Sequence, residues 1–171
     1  MNVLESFYNN REFTNIVSDI LENDKFLAID ECKHHGITRL QHSVRVSYYS
    51  YLVSKKLHLN YIATARGGLL HDFFVQEDLT PKKQKLSVVF HPYEALNKSC
   101  NTFEVSDMEK DIIINHMFPT LPHKIPKYIE SWIVSFVDKA VAIYEFYYSY
   151  GRSFVYRFSN LYVMLLLLAR R

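Results

Sequence analysis

Only four glycines and five prolines punctuate 171 residues, and stretches that alternate β-branched with polar residues are scarce. Apolar residues recur instead at helical spacing, which predicts an all-α domain. The helix starts can be read from capping chemistry. Thr38-Arg-Leu-Gln41 has the form of a capping box and opens a helix expected to run to about Leu57. Asn60 can cap the next, which carries "YIATARGGLLHDFF", and Ser106-Asp-Met-Glu109 is a second capping box ahead of "KDIIINHM". Pro126 fits the first position of a long helix through "YIESWIVSFVDKAVAIYEFYY" that ends near Gly151. Residues 11 to 34 read as one or two helices, and a loop containing "PKKQK" is expected between 74 and 90. No repeat, low-complexity tract or linker interrupts the chain, so one domain over 1–171 is expected, with its motif-bearing core at about 38–148.

The bulk numbers narrow the function classes. At 49% hydrophobic and 22% charged the chain is of ordinary globular composition, and a net charge of +2 does not indicate nucleic acid. Cys32 and Cys100 have no CxxC spacing, so neither a disulfide framework nor a thiolate zinc site is implied. Met1 to Asn10 contains Glu5 and lacks the basic head and apolar run of a signal peptide. The apolar run "LYVMLLLLA" at 161–169 is shorter than the roughly 20 residues of a membrane span. These features predict a cytoplasmic protein without a membrane partner, with that run as a C-terminal core helix. The aromatic stretch "YEFYYSYGRSFVYRF" is rich enough to offer a homodimer face as well as core.

Eight histidines is a high count for this length. His42, His71, His91 and His116 stand beside apolar or small residues inside predicted helices or at their ends, and Asp72 and Asp138 share that character. Buried imidazoles and carboxylates need partners, and a shared metal satisfies all six at once. Local spacing agrees. One helical turn back from His71 and Asp72 lie Gly67 and Gly68, a face almost without side chains that lets another helix approach. Ser135 and Ala142 make a similar small-residue stripe around Asp138. His34, His35 and His58 read as surface or packing residues.

The order His42, His71-Asp72, His91, His116, Asp138, within "RLQHSVRVS", "ARGGLLHDFF", "VVFHPYEAL", "IIINHMFP" and "WIVSFVDKA", resembles the HD-domain superfamily of metal-dependent phosphohydrolases. The resemblance spans residues 39 to 140 and implies a helical bundle with the metal site between helices. By that match His42, His71, Asp72 and Asp138 would bind one metal, while His91 and His116 correspond to the extra histidines of the two-metal branch, with Asp72 bridging the ions. The chain departs from the HD-GYP subgroup, having neither the Gly-Tyr-Pro signature nor a His-His pair after His91, so a cyclic dinucleotide substrate is unsupported.

Four imidazoles and two carboxylates suit one or two of Fe, Mn, Zn, Co or Ni and are too rich in nitrogen for Ca. Cations around a bridging carboxylate can generate a hydroxide at neutral pH, which makes phosphate-ester hydrolysis the natural reaction, on a nucleotide or small phosphorylated metabolite. No GxSxG or P-loop competes with this reading. Lys82, Lys83 and Lys85, with Arg45, are the candidates for the phosphate; Arg39 reads as a first-turn residue that caps or salt-bridges. Glu94 is a candidate acceptor for His91, and His123 a candidate proton donor to the leaving group. Two alternatives stay open. The same ligand order resembles the mixed-valent di-iron oxygenases of the superfamily, of the myo-inositol oxygenase type, and a non-catalytic metal-binding module would also use it.

Overall fold

The structure, a computed structural model, describes residues 7, 9–31, 33–34 and 37–151. The fold is all-α. Helix α1 (Arg11–Leu21) is capped by Asn10, whose side chain accepts from the Phe13 amide at 3.1 Å, and it buries Phe13, Val17 and Ile20. A short α2 (Asp24–Leu27) and a 3₁₀ turn (Ala28–Glu31) follow. Residues 33–34 then depart from the expected helix and pair, as β1 (Lys33–His34), with β2 (Ile37–Thr38) in a two-residue antiparallel ribbon.

Both capping boxes form. Thr38 opens α3 (Arg39–Lys56) and Ser106 opens α7 (Asp107–Asn115). Between them, Asn60 caps α4 (Tyr61–Leu70), accepting from the Ala63 amide at 3.0 Å. The expected loop at 74–90 is largely helical: α5 (Pro81–Gln84) lies inside it and α6 (Ser87–Thr102) begins before His91. The last helix, α8 (Ile129–Phe146), starts three residues beyond Pro126. Backbone groups there are committed elsewhere: the Pro126 carbonyl accepts from the Trp132 indole at 3.1 Å, and the Lys127 amide donates to Asp111 Oδ2 at 2.9 Å. A π-helical turn (Tyr147–Gly151) closes the described chain. No helix among the described residues is long and apolar enough to cross a membrane. The run at 161–169, Cys32 and His35 lie outside the described residues.

Helix α4 occupies the middle and packs against α1, α3, α7 and α8. Burial on all sides explains why Ala63, Ala65, Leu69 and Leu70 carry no polar stripe. The two glycines make this possible. A Cβ on Gly67 would lie 2.8 Å from Ile112 on α7, and one on Gly68 would lie 3.1 Å from the Cα of Ser47 on α3. Helix α3 meets α4 with Ser43, Ser47, Ser50 and Ser54, all fully buried, and Ser47 donates to the Ala65 carbonyl at 2.6 Å. Close approach therefore brings the helices that carry His42 and His116 onto the end of α4. Gly68→Val should lower stability by about 1–3 kcal/mol, because the obstruction is backbone that cannot rotate away. The check is the urea midpoint of the metal-free variant, with an unchanged value counting against the close-packing role.

Candidate metal centre

His71 and His116 are each the residue that ends a helix, α4 and α7 respectively. Carbonyls of a last turn lack amide partners. The rings use them: His71 Nδ1 lies 2.8 Å from the Gly68 carbonyl and His116 Nδ1 lies 2.8 Å from the Ile113 carbonyl. On α6, His91 Nδ1 lies 2.7 Å from the Ser87 carbonyl. A carbonyl can only accept, so each Nδ1 carries a hydrogen, and whenever the ring is neutral its Nε2 presents a lone pair. His42, in the first turn of α3, reaches the same state differently. Its Nδ1 lies 2.7 Å from Oε2 of Glu145, a carboxylate on α8.

All four Nε2 atoms turn toward Asp72 and Asp138. His42 Nε2 is 3.0 Å and His71 Nε2 is 3.8 Å from Asp138 Oδ1. Asp72 presents Oδ1 to His91 at 3.3 Å and to His116 at 3.8 Å, and Oδ2 to His71 at 4.0 Å. His91 Nε2 and His116 Nε2 stand 2.9 Å apart. At that distance the two nitrogens must share a proton or a metal ion, since two lone pairs would repel. Among the described residues, His71 Nε2 and Asp72 Oδ1 are buried without a hydrogen-bond partner, a condition that costs on the order of 1–3 kcal/mol per group. Two overlapping sets have ligand atoms near enough to hold a metal ion, His42 with His71 and Asp138, and His71 with Asp72 and His116. The donor atoms present therefore fit a divalent transition metal: neutral imidazoles of fixed tautomer and anionic oxygens, converging in a buried place.

The electrostatics of the metal-free site follow from the same contacts. Burial alone would lower the pKa of His42, but its hydrogen bonds to Asp138 and Glu145 raise it to about 10. Burial lowers His71 and, with the neighbouring imidazoles His71 and His91, pushes His116 well below the usual range. Burial would raise both aspartates. The facing imidazoles, Arg39 for Asp72 and Lys139 for Asp138, outweigh it and hold both carboxyls low. The signs oppose one another. His42 is raised, so its contribution to stability is complete below its unfolded value of 6.5 and lost as pH climbs toward 10. His71 and His116 are depressed, so unfolding takes up protons and stability falls as pH drops below 6.5. Chelator-stripped protein should accordingly be most stable near pH 6.5, shown by urea midpoints from pH 5 to 10. A midpoint rising steadily to pH 10 would contradict the His42 pairing.

A cavity of about 310 Å³ opens on four of the six side chains, Asp72, His91, His116 and Asp138, and is lined also by Arg39, Val88, Met117, Lys139 and Ala142 among others. The cations expected from sequence are not among them. Arg45 donates to Glu145 Oε1 at 2.8 Å and lines a separate hollow with Tyr49 and Tyr144. Lys83 pairs with Glu94 at 3.0 Å, which also occupies Glu94, while Lys82 and Lys85 are exposed. His123 is exposed in the 117–128 loop and does not line the cavity. Instead Arg39 is buried, with its guanidinium 3.9 Å from the Phe74 ring centroid, Nη1 donating to the Phe74 carbonyl at 2.5 Å, and Nε 4.0 Å from Asp72. Lys139 donates to Asp138 Oδ2 and to the His116 carbonyl, each at 2.7 Å. Glu145 and Lys139 escaped the sequence reading, whereas Arg39, read as a first-turn residue that caps or salt-bridges, does face Asp72. For Glu145 a signal existed, since it lies two helical turns after Asp138 on the same face of α8. Comparison of the chain with known protein families, with curated proteins and with solved structures returns no match, which leaves the chemistry of these side chains to bear on function.

Proposed function

We propose that this chain is a metal-dependent phosphohydrolase of the HD type, cleaving a phosphate ester of a nucleotide or small phosphorylated metabolite. The observation that carries the reading is the convergence of four Nε2 lone pairs on two buried carboxylates. His42, His71, Asp72, His91, His116 and Asp138 would hold one or two divalent transition metals. The chemistry supplied there is a hydroxide nucleophile at neutral pH and neutralisation of charge on phosphate oxygens. Asp72 fits the role of a shared ligand, because its two oxygens face different imidazoles.

The chain's own part is to bind and orient. Arg39 and Lys139 put positive charge in the cavity beside the carboxylates, where a phosphate would meet it. The Arg39 guanidinium is held in place by Phe74, which itself stacks on His91 with ring centroids 5.2 Å apart. Val88, Met117 and Ala142 supply apolar wall for the organic part of the ester. The cavity, about 310 Å³, is at the small end for ligand pockets and favours a single small phosphoester over a long one. The decisive test is phosphate release from a panel of phosphomonoesters and diesters by anaerobic protein loaded with Zn or Mn.

A charge-assisted contact from Arg39 sets the size of a second effect. Arg39→Met should lower kcat/KM about 10- to 100-fold, as one such contact is worth roughly 1.5–3 kcal/mol. Replacing Lys82 and Lys85 with Gln should leave kinetics near wild type. Steady-state kinetics at matched metal content check both, and the opposite ranking would return the phosphate to the 82–85 cluster.

A further inference from the structure

His42 differs from the other three imidazoles in what holds it. His71, His91 and His116 each give their Nδ1 hydrogen to a carbonyl of their own helix, a neutral acceptor three or four residues away. His42 lies in the first turn of α3, away from any helix C-terminus and its orphan carbonyls. Its acceptor is Glu145, brought in from α8. That residue is only 1% exposed and both its carboxylate oxygens are engaged: Oε2 faces His42 at 2.7 Å and Oε1 accepts from Arg45 at 2.8 Å. The arrangement is a ladder between two helices. His42 and Arg45 are one turn apart on α3, and Asp138 and Glu145 are two turns apart on α8, so each helix presents both partners from one face.

Resting on the reading that these residues hold a metal, we propose that Glu145 is a positioning residue, whose carboxylate fixes the proton of His42 on Nδ1 and thereby aims an electron-rich Nε2 at the metal. The physical reason is twofold. Two acceptors 2.7 Å apart need a hydrogen between them, so a Glu145 carboxylate keeps one on Nδ1, and a metal at the site would replace the hydrogen that Nε2 otherwise shares with Asp138 Oδ1, 3.0 Å away. A full negative charge behind the ring also makes that nitrogen more basic than a carbonyl would. Arg45 completes the device by occupying the other oxygen, which stops the carboxylate from turning away. A pair that served helix packing alone would have no need to touch the ring, and burying such a pair gains little by itself.

Two measurements on chelator-stripped protein test this. The first is zinc affinity, by titration against a competing chelator, for wild type, Glu145→Gln and Glu145→Leu. The second is the ¹⁵N spectrum of the histidine rings after that protein is reloaded with zinc, which reports which nitrogen of His42 keeps its hydrogen. Glu145→Gln keeps the size and one acceptor oxygen but removes the charge, and should weaken zinc binding about 10- to 100-fold. Glu145→Leu should weaken it at least as much and leave the His42 ring without a single tautomer. A purely structural role would shift the urea midpoint and leave tautomer and affinity alone. If Glu145→Leu does not fold, the wild-type spectrum and the Gln variant decide. A zinc-loaded wild-type His42 with its hydrogen on Nε2 and none on Nδ1, or zinc bound equally by wild type and Glu145→Gln, overturns the inference while leaving the metal reading intact. A wild-type chain that binds no zinc overturns both.

Discussion

Asp72→Ala is expected to lose at least one metal ion per chain and to reduce hydrolysis on the order of a thousand-fold or more. The carboxylate faces His71, His91 and His116, three imidazoles that bring no negative charge of their own. Without it, a cation among them would be compensated only by Asp138, which approaches the His42 and His71 side. Charge left uncompensated in a buried place is expensive. A metal contribution of several kcal/mol to the transition state, at about 1.4 kcal/mol per tenfold in rate, gives the size of the loss. Metal analysis of the purified variant and a phosphatase assay read the two effects. His58→Ala is the control: His58 is exposed beyond the end of α3, at a φ of 56°, and should change neither. Full metal content at wild-type affinity in Asp72→Ala would sink the shared-ligand role.

The other large effect separates hydrolase from oxygenase. A phosphohydrolase needs its metals only as Lewis acids, so redox-inert Zn, or Mn kept without O₂, should support turnover of a phosphate ester. An oxygenase on the same ligands needs iron that changes oxidation state, and Zn would silence it completely. Protein purified anaerobically, stripped and reloaded with Zn, Mn or Fe can be assayed with and without O₂ for each metal on one sample. The expected outcome is release of phosphate, or of a phosphomonoester from a diester, with Zn or Mn and no O₂. Iron-dependent O₂ uptake with an organic substrate, and no phosphate release with any metal, would transfer the assignment to the oxygenase.

The residues that the sequence singled out and the residues that the fold adds to the site differ in kind. The six candidate ligands stood out because histidine and aspartate are rarely buried without partners, a property of residue type and local neighbours. Gly67 and Gly68 stood out for a similar local reason, and their contacts with Ile112 and Ser47 are the close approaches that absent side chains permit. Of the cations singled out, Arg45, Lys82, Lys83 and Lys85 do not line the cavity, because nearness in sequence to a histidine is not nearness in space. Arg45 is one turn from His42 on α3, yet its longer side chain reaches away from the cavity to Glu145. Arg39, in the first turn, folds over Phe74 and into the site. Lys83 had a nearer acid in Glu94.

Sequence by itself determined the all-α class and the starts of three helices, since capping boxes at Thr38 and Ser106 and the Asn60 cap act through bonds spanning three residues. It also determined which side chains could not be buried alone. The start of α8 escaped it, because the backbone around Pro126 is claimed by Trp132 and Asp111 rather than by the next turn. Only the tertiary structure decided which nitrogen of each histidine faces inward, which cation enters the cavity, and that Glu145 stands behind His42. For His42 the choice depends on how α3 and α8 are set against each other, and hydrogen bonds between residues a hundred positions apart leave no periodic trace in the chain.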